Sequence, residues 1–249
     1  MIRQFLIAVS FLTRLPAGTV DCSAKDIGRS ARWFPLVGGM LGAIYVGAAK
    51  LLGPSFPPLI TAVLICALDA LITGAMHFDG LADTADGFGG GRTTEDVLRI
   101  MRDHAIGSYG ACALFLAFAL KIAALATLVN SAKALPALLL APALGRWTAV
   151  FSSAIAGYAR PEQDDGPKSV GSPTRYIGRV ELIVASLITA AFAFPRPWRG
   201  GTVWVLAAVA VGAWTARSRR RIGGVTGDTL GAGIEMTECL VLIVYAANF

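Results

Sequence analysis

Residues 77 to 87 read H-F-D-G-L-A-D-T-A-D-G, and they end a long apolar run. The three aspartates of this stretch, Asp79, Asp83 and Asp86, are spaced i, i+4 and i+7, which places them on one face of a helix. One aspartate at the centre of a membrane-spanning helix costs about 2.5–3.5 kcal/mol. A group of three therefore belongs at a water-accessible end of a helix bundle or in an internal cavity.

The same stretch carries negative charge that its neighbours in sequence do not compensate, because no lysine or arginine lies between Asp69 and Arg92. Carboxylates this close oppose one another's ionisation unless a cation lies among them. Mg²⁺ is the expected ion, since it prefers hard oxygen ligands and is commonly held by a few carboxylates together with substrate phosphates. The alternative is a solvated helix end that binds nothing. His77 lies on the opposite helical face, where a packing or capping role explains it as well as participation in the site does.

The composition indicates a membrane protein. Of the 249 residues, 55% are hydrophobic and only 15% are charged, whereas soluble domains carry about 25% charged residues. Several apolar stretches approach or exceed the roughly 18 residues that mark a membrane-spanning helix. We expect an all-α, polytopic membrane helix bundle in which residues 1–249 form a single integral-membrane domain. No basic run is interleaved with aromatic residues, which argues against a nucleic-acid partner.

Seven apolar stretches are candidate membrane spans, and the fifth and sixth are short for a full crossing. The N-terminal residues Met1–Pro16 predict a retained interfacial or re-entrant helix. Gly38 and Gly42 have the small-xxx-small spacing that lets helices pack closely in lipid. The predicted spans are Trp33–Gly53, Pro58–Met76, Ala111–Asn130, Leu135–Gly157, Val180–Phe194, Gly201–Ala216 and Leu230–Ala247.

The distribution of the 22 lysines and arginines gives an orientation. With seven spans, one side of the membrane receives sixteen of them, including Lys168, and the other side receives four, including Arg196. Lys121 and Arg146 remain inside spans. Because cytoplasmic loops carry the excess of positive charge, the loop that contains the three aspartates is predicted to face the cytoplasm.

A second acidic stretch falls on the same side, where residues 226 to 235 read T-G-D-T-L-G-A-G-I-E. Asp228 and Glu235 are seven residues apart and share a helix face. We expect both acidic stretches to line one site. The alternative for Asp228 is N-capping of the last span. Glu235 lies two turns into an apolar helix, where ionisable residues are functional candidates by default.

Other charged residues leave alternatives open. Arg102, in I-M-R-D-H-A-I-G-S-Y-G, could clamp a phosphate bidentately or pair with Asp103. Asp69 lies within a span, where either Lys121 or Arg146 could be its partner.

Taken together, these residues resemble the adenosylcobinamide-GDP ribazoletransferase (cobalamin synthase) family over nearly the whole chain. The chain departs from the family pattern at His104 and Ala105, where serine and arginine usually follow the arginine-aspartate or lysine-aspartate pair, and at Ile234, where asparagine usually precedes the glutamate. The resemblance therefore implies no phosphate-binding role at position 105. The motifs are F-L-T-R-L-P at Phe11–Pro16, F-P-L-V-G at Phe34–Gly38, H-F-D-G-L-A-D-T-A-D-G at His77–Gly87, M-R-D-H-A-I-G-S-Y-G at Met101–Gly110, A-P-A-L-G-R-W at Ala141–Trp147, Y-A-R-P at Tyr158–Pro161 and T-G-D-T-L-G-A at Thr226–Ala232.

The resemblance implies a Mg²⁺-dependent enzyme of the bacterial inner membrane with its active site facing the cytoplasm. Such an enzyme joins adenosylcobinamide-GDP to α-ribazole or α-ribazole 5′-phosphate, releases GMP and gives adenosylcobalamin or its 5′-phosphate. The resemblance also implies that membrane lipid surrounds the protein, and it is compatible with a homo-oligomer. By this resemblance Asp79, Asp83 and Asp86 bind one Mg²⁺, Asp228 and Glu235 support it or bind a second, and Arg14 and Arg102 steady the phosphates.

Two rival functions share some of these features. Phosphatidyl- and prenyl-transferases also hold diphosphates through aspartate-bound Mg²⁺, but the D-x-x-x-D-x-x-D spacing differs from the longer pattern of the phospholipid enzymes. A secondary transporter could use intramembrane carboxylates for cation coupling, although the inverted repeats typical of transporters are not evident.

Overall fold

A computed structural model of the chain describes residues 1–18, 22–160, 172–193 and 197–247. Within these ranges the protein is helical, and the only β-type pairing is an isolated bridge between Tyr158 and Val225. The all-α prediction is confirmed. Lys168 and Arg196 of the charge count, and Pro161 of the Y-A-R-P motif, lie outside the described residues.

Each predicted span corresponds to a helix, and the predicted N-terminal helix is the first element. Short 3-10 helices at Ala31–Trp33 and Ser172–Tyr176 complete the described elements. The α-helices are α1 (Ile2–Leu12), α2 (Ala24–Ser30), α3 (Phe34–Leu52), α4 (Pro58–Thr73), α5 (Met76–Gly90), α6 (Thr94–Ile100), α7 (Ser108–Leu128), α8 (Ala134–Ile155), α9 (Arg179–Ala193), α10 (Pro197–Ile222) and α11 (Gly227–Ala246).

Four segments of the described chain are long and apolar enough to cross a bilayer. They are Ala24–Leu52, which includes α2 and α3, and the helices α7, α8 and α11. The pair α4 and α5 passes the same test together, with a bend of 91° between its two helices. The structure thus supports four or five spans by length and composition, and a count of seven stays a prediction.

The core of the bundle is built around α8, whose residues are mostly buried. Helix α3 packs directly on α8, because Gly38 and Gly42 have no side chains and allow the backbones of the two helices to approach. A Cβ atom on Gly38 would lie 2.7 Å from Ala143 Cα, and one on Gly42 would lie 2.7 Å from Leu139 Cα. The predicted small-residue contact is therefore a helix–helix interface.

We expect Gly42→Leu to lower the thermal unfolding midpoint in detergent by roughly 4–10 °C, since overpacking of a tight interface costs about 1–3 kcal/mol. Gly47→Leu on the same helix is the matched control, because Gly47 is exposed and an added Cβ meets no atom within 4 Å. Equal midpoints for the two variants would contradict the close α3–α8 contact.

The bend between α4 and α5 is made by two residues with left-handed backbone, Gly74 (φ 68°) and Ala75 (φ 58°). Gly74 ends α4 as its C-cap, which is the position where glycine adopts this conformation at least cost. Helix α5, which carries the three aspartates, thereby leaves the direction of α4 and packs against α7 and α11.

Candidate active site

Helices α5 and α11 cross at two glycines, and this crossing positions the acidic residues. A Cβ atom on Gly80 would lie 3.0 Å from Asp228 Cα, and one on Gly231 would lie 3.3 Å from His77 Cα. Only residues without side chains permit helix backbones to approach this closely. The crossing brings the start of α11 against the aspartate-bearing part of α5, although the two segments are about 150 residues apart in sequence.

Three of the predicted site residues come together at this crossing. The charged groups that act most strongly on the Asp83 carboxylate are Asp79, Asp228 and Asp86, all of which repel it, followed by one attractive group, Arg160. Asp79 is exposed, whereas Asp83 and Asp228 are partly buried. The arrangement is an acidic cluster open to solvent on one side, with more negative than positive charge.

Asp86 has a structural partner of its own. Its two carboxylate oxygens accept hydrogen bonds from the backbone N–H groups of Gly107 and Gly110, at 2.8 and 2.9 Å. Gly107 is the N-cap residue of α7 and Gly110 lies in its first turn, where backbone N–H groups have no partner within the helix. Asp86 therefore caps α7 from outside, and only its remaining lone pairs are free for a metal ion.

Asp228 is not the N-cap of α11. Thr226 caps the helix by accepting a hydrogen bond from the Thr229 backbone, and the Thr229 hydroxyl accepts from the Thr226 backbone in return. The Asp228 carboxylate instead accepts a hydrogen bond from Arg160 Nη2 at 3.1 Å. It is thus available to the acidic cluster.

Sequence reasoning did not single out Arg160 as a site residue. The residue lies in the connection after α8, next to the bridge that joins Tyr158 to Val225. Its signal in the sequence is the Y-A-R-P motif, which gives the residue type but not its place. Arg160 is the cation that the structure puts beside both Asp228 and Asp83.

Glu235 shares a helix face with Asp228, but it lies two turns further along α11 and its contacts are not with the aspartates of the cluster. The Glu235 carboxylate is buried and forms an ion pair with Lys121 at 2.7 Å. A carboxylate at this depth needs a cation, and α7 supplies one directly. A role for Glu235 in metal binding stays a prediction without support from its contacts.

Lys121 is the centre of a buried ionic network in the bundle. Its Nζ atom lies 2.7 Å from Glu238 and 3.2 Å from Asp69, which settles the partner of Asp69. Asp69 also accepts a hydrogen bond from the Tyr45 hydroxyl at 2.7 Å, and Arg146 pairs with Glu238. Oxygens of Asp69, Glu235 and Glu238 lie within 4.8 Å of one another, but the Lys121 ammonium already supplies the cation among them.

The two arginines predicted to bind phosphate lie at the surface. The Arg14 guanidinium packs over Gly74 at the α4–α5 bend, and the Arg14 backbone N–H donates to the Ile72 carbonyl at 2.7 Å. Arg102 lies in the exposed turn that follows α6. Their phosphate-binding roles stay predictions.

A cavity of about 210 Å³ adjoins the acidic cluster. Residues of α1, α2, α3, α5, α8, α11 and the 3-10 helix Ser172–Tyr176 line it, and most of these are apolar. Asp79 and Asp228 belong to its lining, and so does the buried His77. The site therefore combines a charged, solvent-accessible part with an adjoining apolar chamber.

Comparison with known proteins gives one consistent family. The family model described as cobalamin-5-phosphate synthase matches residues 4–246. A protein of Syntrophobacter fumaroxidans named adenosylcobinamide-GDP ribazoletransferase is 41% identical over 251 residues, with 99% of each chain covered. Proteins of the same name from Rhizobium etli and Ralstonia nicotianae are each 40% identical, covering 96% and 98% of this chain and 94% and 95% of their own.

No solved structure matches the chain. The family match nevertheless spans nearly every residue, and it includes both segments that form the acidic crossing of α5 and α11. The chain belongs to the cobalamin-5-phosphate synthase family.

Proposed function

We propose that the chain carries out the reaction of its family at the crossing of α5 and α11. In this reaction the cobinamide phosphate of adenosylcobinamide-GDP is transferred to α-ribazole or α-ribazole 5′-phosphate, and GMP is released. The observation that carries the proposal is the convergence of Asp79, Asp83 and Asp228 from two distant segments beside Arg160.

The acidic cluster fits a Mg²⁺ ion by the chemistry of its donors. Asp79, Asp83 and Asp228 offer hard carboxylate oxygens, the cluster has an excess of negative charge, and Asp79 is open to solvent and substrate. These three residues would hold the ion, with Asp86 contributing only through lone pairs that α7 leaves free. When bound, Mg²⁺ neutralises the charge of the diphosphate and of the transition state.

The protein groups then account for the remaining steps of the transfer. A hydroxyl oxygen of the ribazole ribose forms a bond to the phosphorus next to cobinamide, while the bond from that phosphorus to the bridging oxygen breaks and GMP leaves with the electron pair. The hydroxyl proton passes to a carboxylate of the cluster. Arg160 holds Asp228 in place and adds positive charge where the diphosphate enters.

The cytoplasmic orientation of this site is supported by the basic end of α10. This end carries Arg217 and Arg219–Arg221, and positive charge of this kind marks the cytoplasmic side. Arg221 donates hydrogen bonds to the carbonyls of Phe88, at 3.4 Å, and Gly91, at the end of α5. The basic segment and the aspartate-bearing helix therefore share one end of the bundle, where nucleotide substrates are found.

Chelation tests the proposed metal dependence. We expect EDTA to lower GMP release by at least about 100-fold in detergent-solubilised protein supplied with both substrates, and added Mg²⁺ to restore it. Turnover that is insensitive to EDTA would contradict the proposal. Chelator-insensitive uptake of a solute into vesicles, without GMP release, would favour the rival transporter function.

A further inference from the structure

Two residues that line the apolar cavity each carry a buried polar atom without a hydrogen-bond partner among the described residues. The two atoms are His77 Nε2 on α5 and Ser153 Oγ on α8, and both side chains are more than nine-tenths buried. Both residues line the cavity beside the acidic cluster. A buried polar atom without a partner costs about 1–3 kcal/mol, so the pair indicates a ligand that supplies the missing hydrogen bonds.

The tautomer of His77 follows from its other ring nitrogen. Arg146 Nη2 lies 3.4 Å from His77 Nδ1, and a guanidinium can only donate. Nδ1 is therefore the acceptor, and the neutral imidazole carries its proton on Nε2. The His77 ring in the cavity wall consequently carries an N–H donor without a partner, and a ligand that satisfies it must offer an acceptor. The Ser153 hydroxyl can donate or accept.

The size of the cavity limits what it can hold. Drug-sized ligands occupy about 300–1,000 Å³, whereas an apolar cavity of about 150 Å³ holds a benzene ring. A volume of about 210 Å³ suits a small fused aromatic ring system. It excludes a corrin macrocycle and a whole nucleotide.

The polarity of the lining separates the remaining candidates. Its hydrophobic side chains include Phe11, Phe34, Met76, Leu230 and Ile234. Guanine has several donors and acceptors on its edges, and most of them would lose their hydrogen bonds to water in such a chamber. A lipid acyl chain would leave the two polar atoms unpaired. A benzimidazole ring is apolar except for one imine nitrogen, which can accept the Nε2–H bond.

We infer that this cavity is the acceptor subsite, which takes the dimethylbenzimidazole ring of α-ribazole, with His77 and Ser153 as its polar contacts. The inference rests on the proposed function and deepens it. Asp79 and Asp228 line the same cavity, so a ring held there carries its ribose toward the acidic cluster. The guanosine of the other substrate then binds outside this cavity.

The test compares two adjacent serines. Ser153→Ala removes a polar contact of the cavity and is expected to raise KM for α-ribazole about 3- to 10-fold, with KM for adenosylcobinamide-GDP unchanged within about 2-fold. Ser152→Ala is the matched control, because Ser152 Oγ bonds Thr215 at 2.8 Å instead and Ser152 does not line the cavity. We expect Ser152→Ala to leave both KM values unchanged.

A second variant fills the cavity. Ala149→Leu adds three carbons to the lining and is expected to raise KM for α-ribazole at least about 10-fold, without weakening inhibition by GMP. Unchanged KM for α-ribazole in Ser153→Ala and Ala149→Leu would overturn the inference. So would a rise in KM for adenosylcobinamide-GDP with loss of GMP inhibition, which would assign the cavity to guanine.

Direct binding separates failure of this inference from failure of the proposed function. Absence of GMP release from the unaltered protein with both substrates would refute the function. Equilibrium dialysis of α-ribazole alone would still compare the unaltered, Ser153→Ala and Ser152→Ala proteins. The inference expects binding to weaken about 3- to 10-fold only in Ser153→Ala. Equal binding by all three proteins would overturn the inference. If Ala149→Leu does not fold, the comparison of Ser153→Ala with Ser152→Ala is sufficient to test it.

Discussion

Replacement of Asp83 by asparagine should lower the rate of GMP release by about 10²–10³-fold while the protein remains folded. The charges of Asp79, Asp228 and Asp86 all repel the Asp83 carboxylate, so Asp83 belongs to the negative charge of the cluster. Asparagine keeps the shape of the side chain but removes the charge. Loss of one preorganised charged group in an active site typically costs this much in rate. The measurement is turnover at saturating Mg²⁺ and both substrates.

The matched control is Asp96→Asn, which makes the same chemical change on α6. Asp96 forms an ion pair with Arg99 at 3.2 Å, and hydrogen bonding to Arg99 lowers the pKa of this carboxyl. It is therefore ionised at neutral pH. We expect Asp96→Asn to retain turnover within about 2-fold. Normal turnover in Asp83→Asn, or equal losses in the two variants, would refute a catalytic role for the cluster.

Replacement of Lys121 by methionine should destabilise the protein severely. The ammonium pairs with Asp69, Glu235 and Glu238, and removal of one partner of a buried ion pair costs about 3–5 kcal/mol because the other charges stay buried without compensation. We expect a large fall in the yield of folded protein and in the thermal unfolding midpoint in detergent. Lys50→Met, at an exposed position on α3, should change neither.

A double variant shows whether charge is the cause. Glu235→Gln in the Lys121→Met background removes one of the uncompensated carboxylates, so it should recover part of the lost stability. If Lys121→Met unfolded at the same temperature as the unaltered protein, the buried ionic network would not stabilise the fold. If the double variant were no more stable than Lys121→Met, the destabilisation would be due to lost packing and not to the uncompensated charge.

The fold class and the acidic stretches could be predicted because they depend on composition and on spacing along single helices. The scarcity of charge specified a membrane bundle, and the spacing of Gly38 and Gly42 predicted the close contact with α8 that the structure shows. Helical periodicity likewise placed Asp79 and Asp83 on one face. Each of these inferences needs only local sequence.

Partners across helices could not be predicted in this way. The period of α11 puts Asp228 and Glu235 on similar faces, but it does not reveal that α7 contributes Lys121 to Glu235 while Arg160 reaches Asp228. His77 illustrates the same limit. Helical periodicity predicts that His77 lies on the face of α5 opposite the aspartates. It does not predict that α8 and α11 enclose this face, so that His77 lines the cavity.

Manganese binding tests the central claim most directly, because Mn²⁺ replaces Mg²⁺ at oxygen sites and its electron paramagnetic resonance signal reports free ion. The purified protein should bind Mn²⁺ in competition with Mg²⁺. Asp83→Asn and Asp228→Asn should each weaken this binding at least about 10-fold, and Asp96→Asn should not. Equal Mn²⁺ affinity in the unaltered protein and in both cluster variants would contradict a metal site at the α5–α11 crossing.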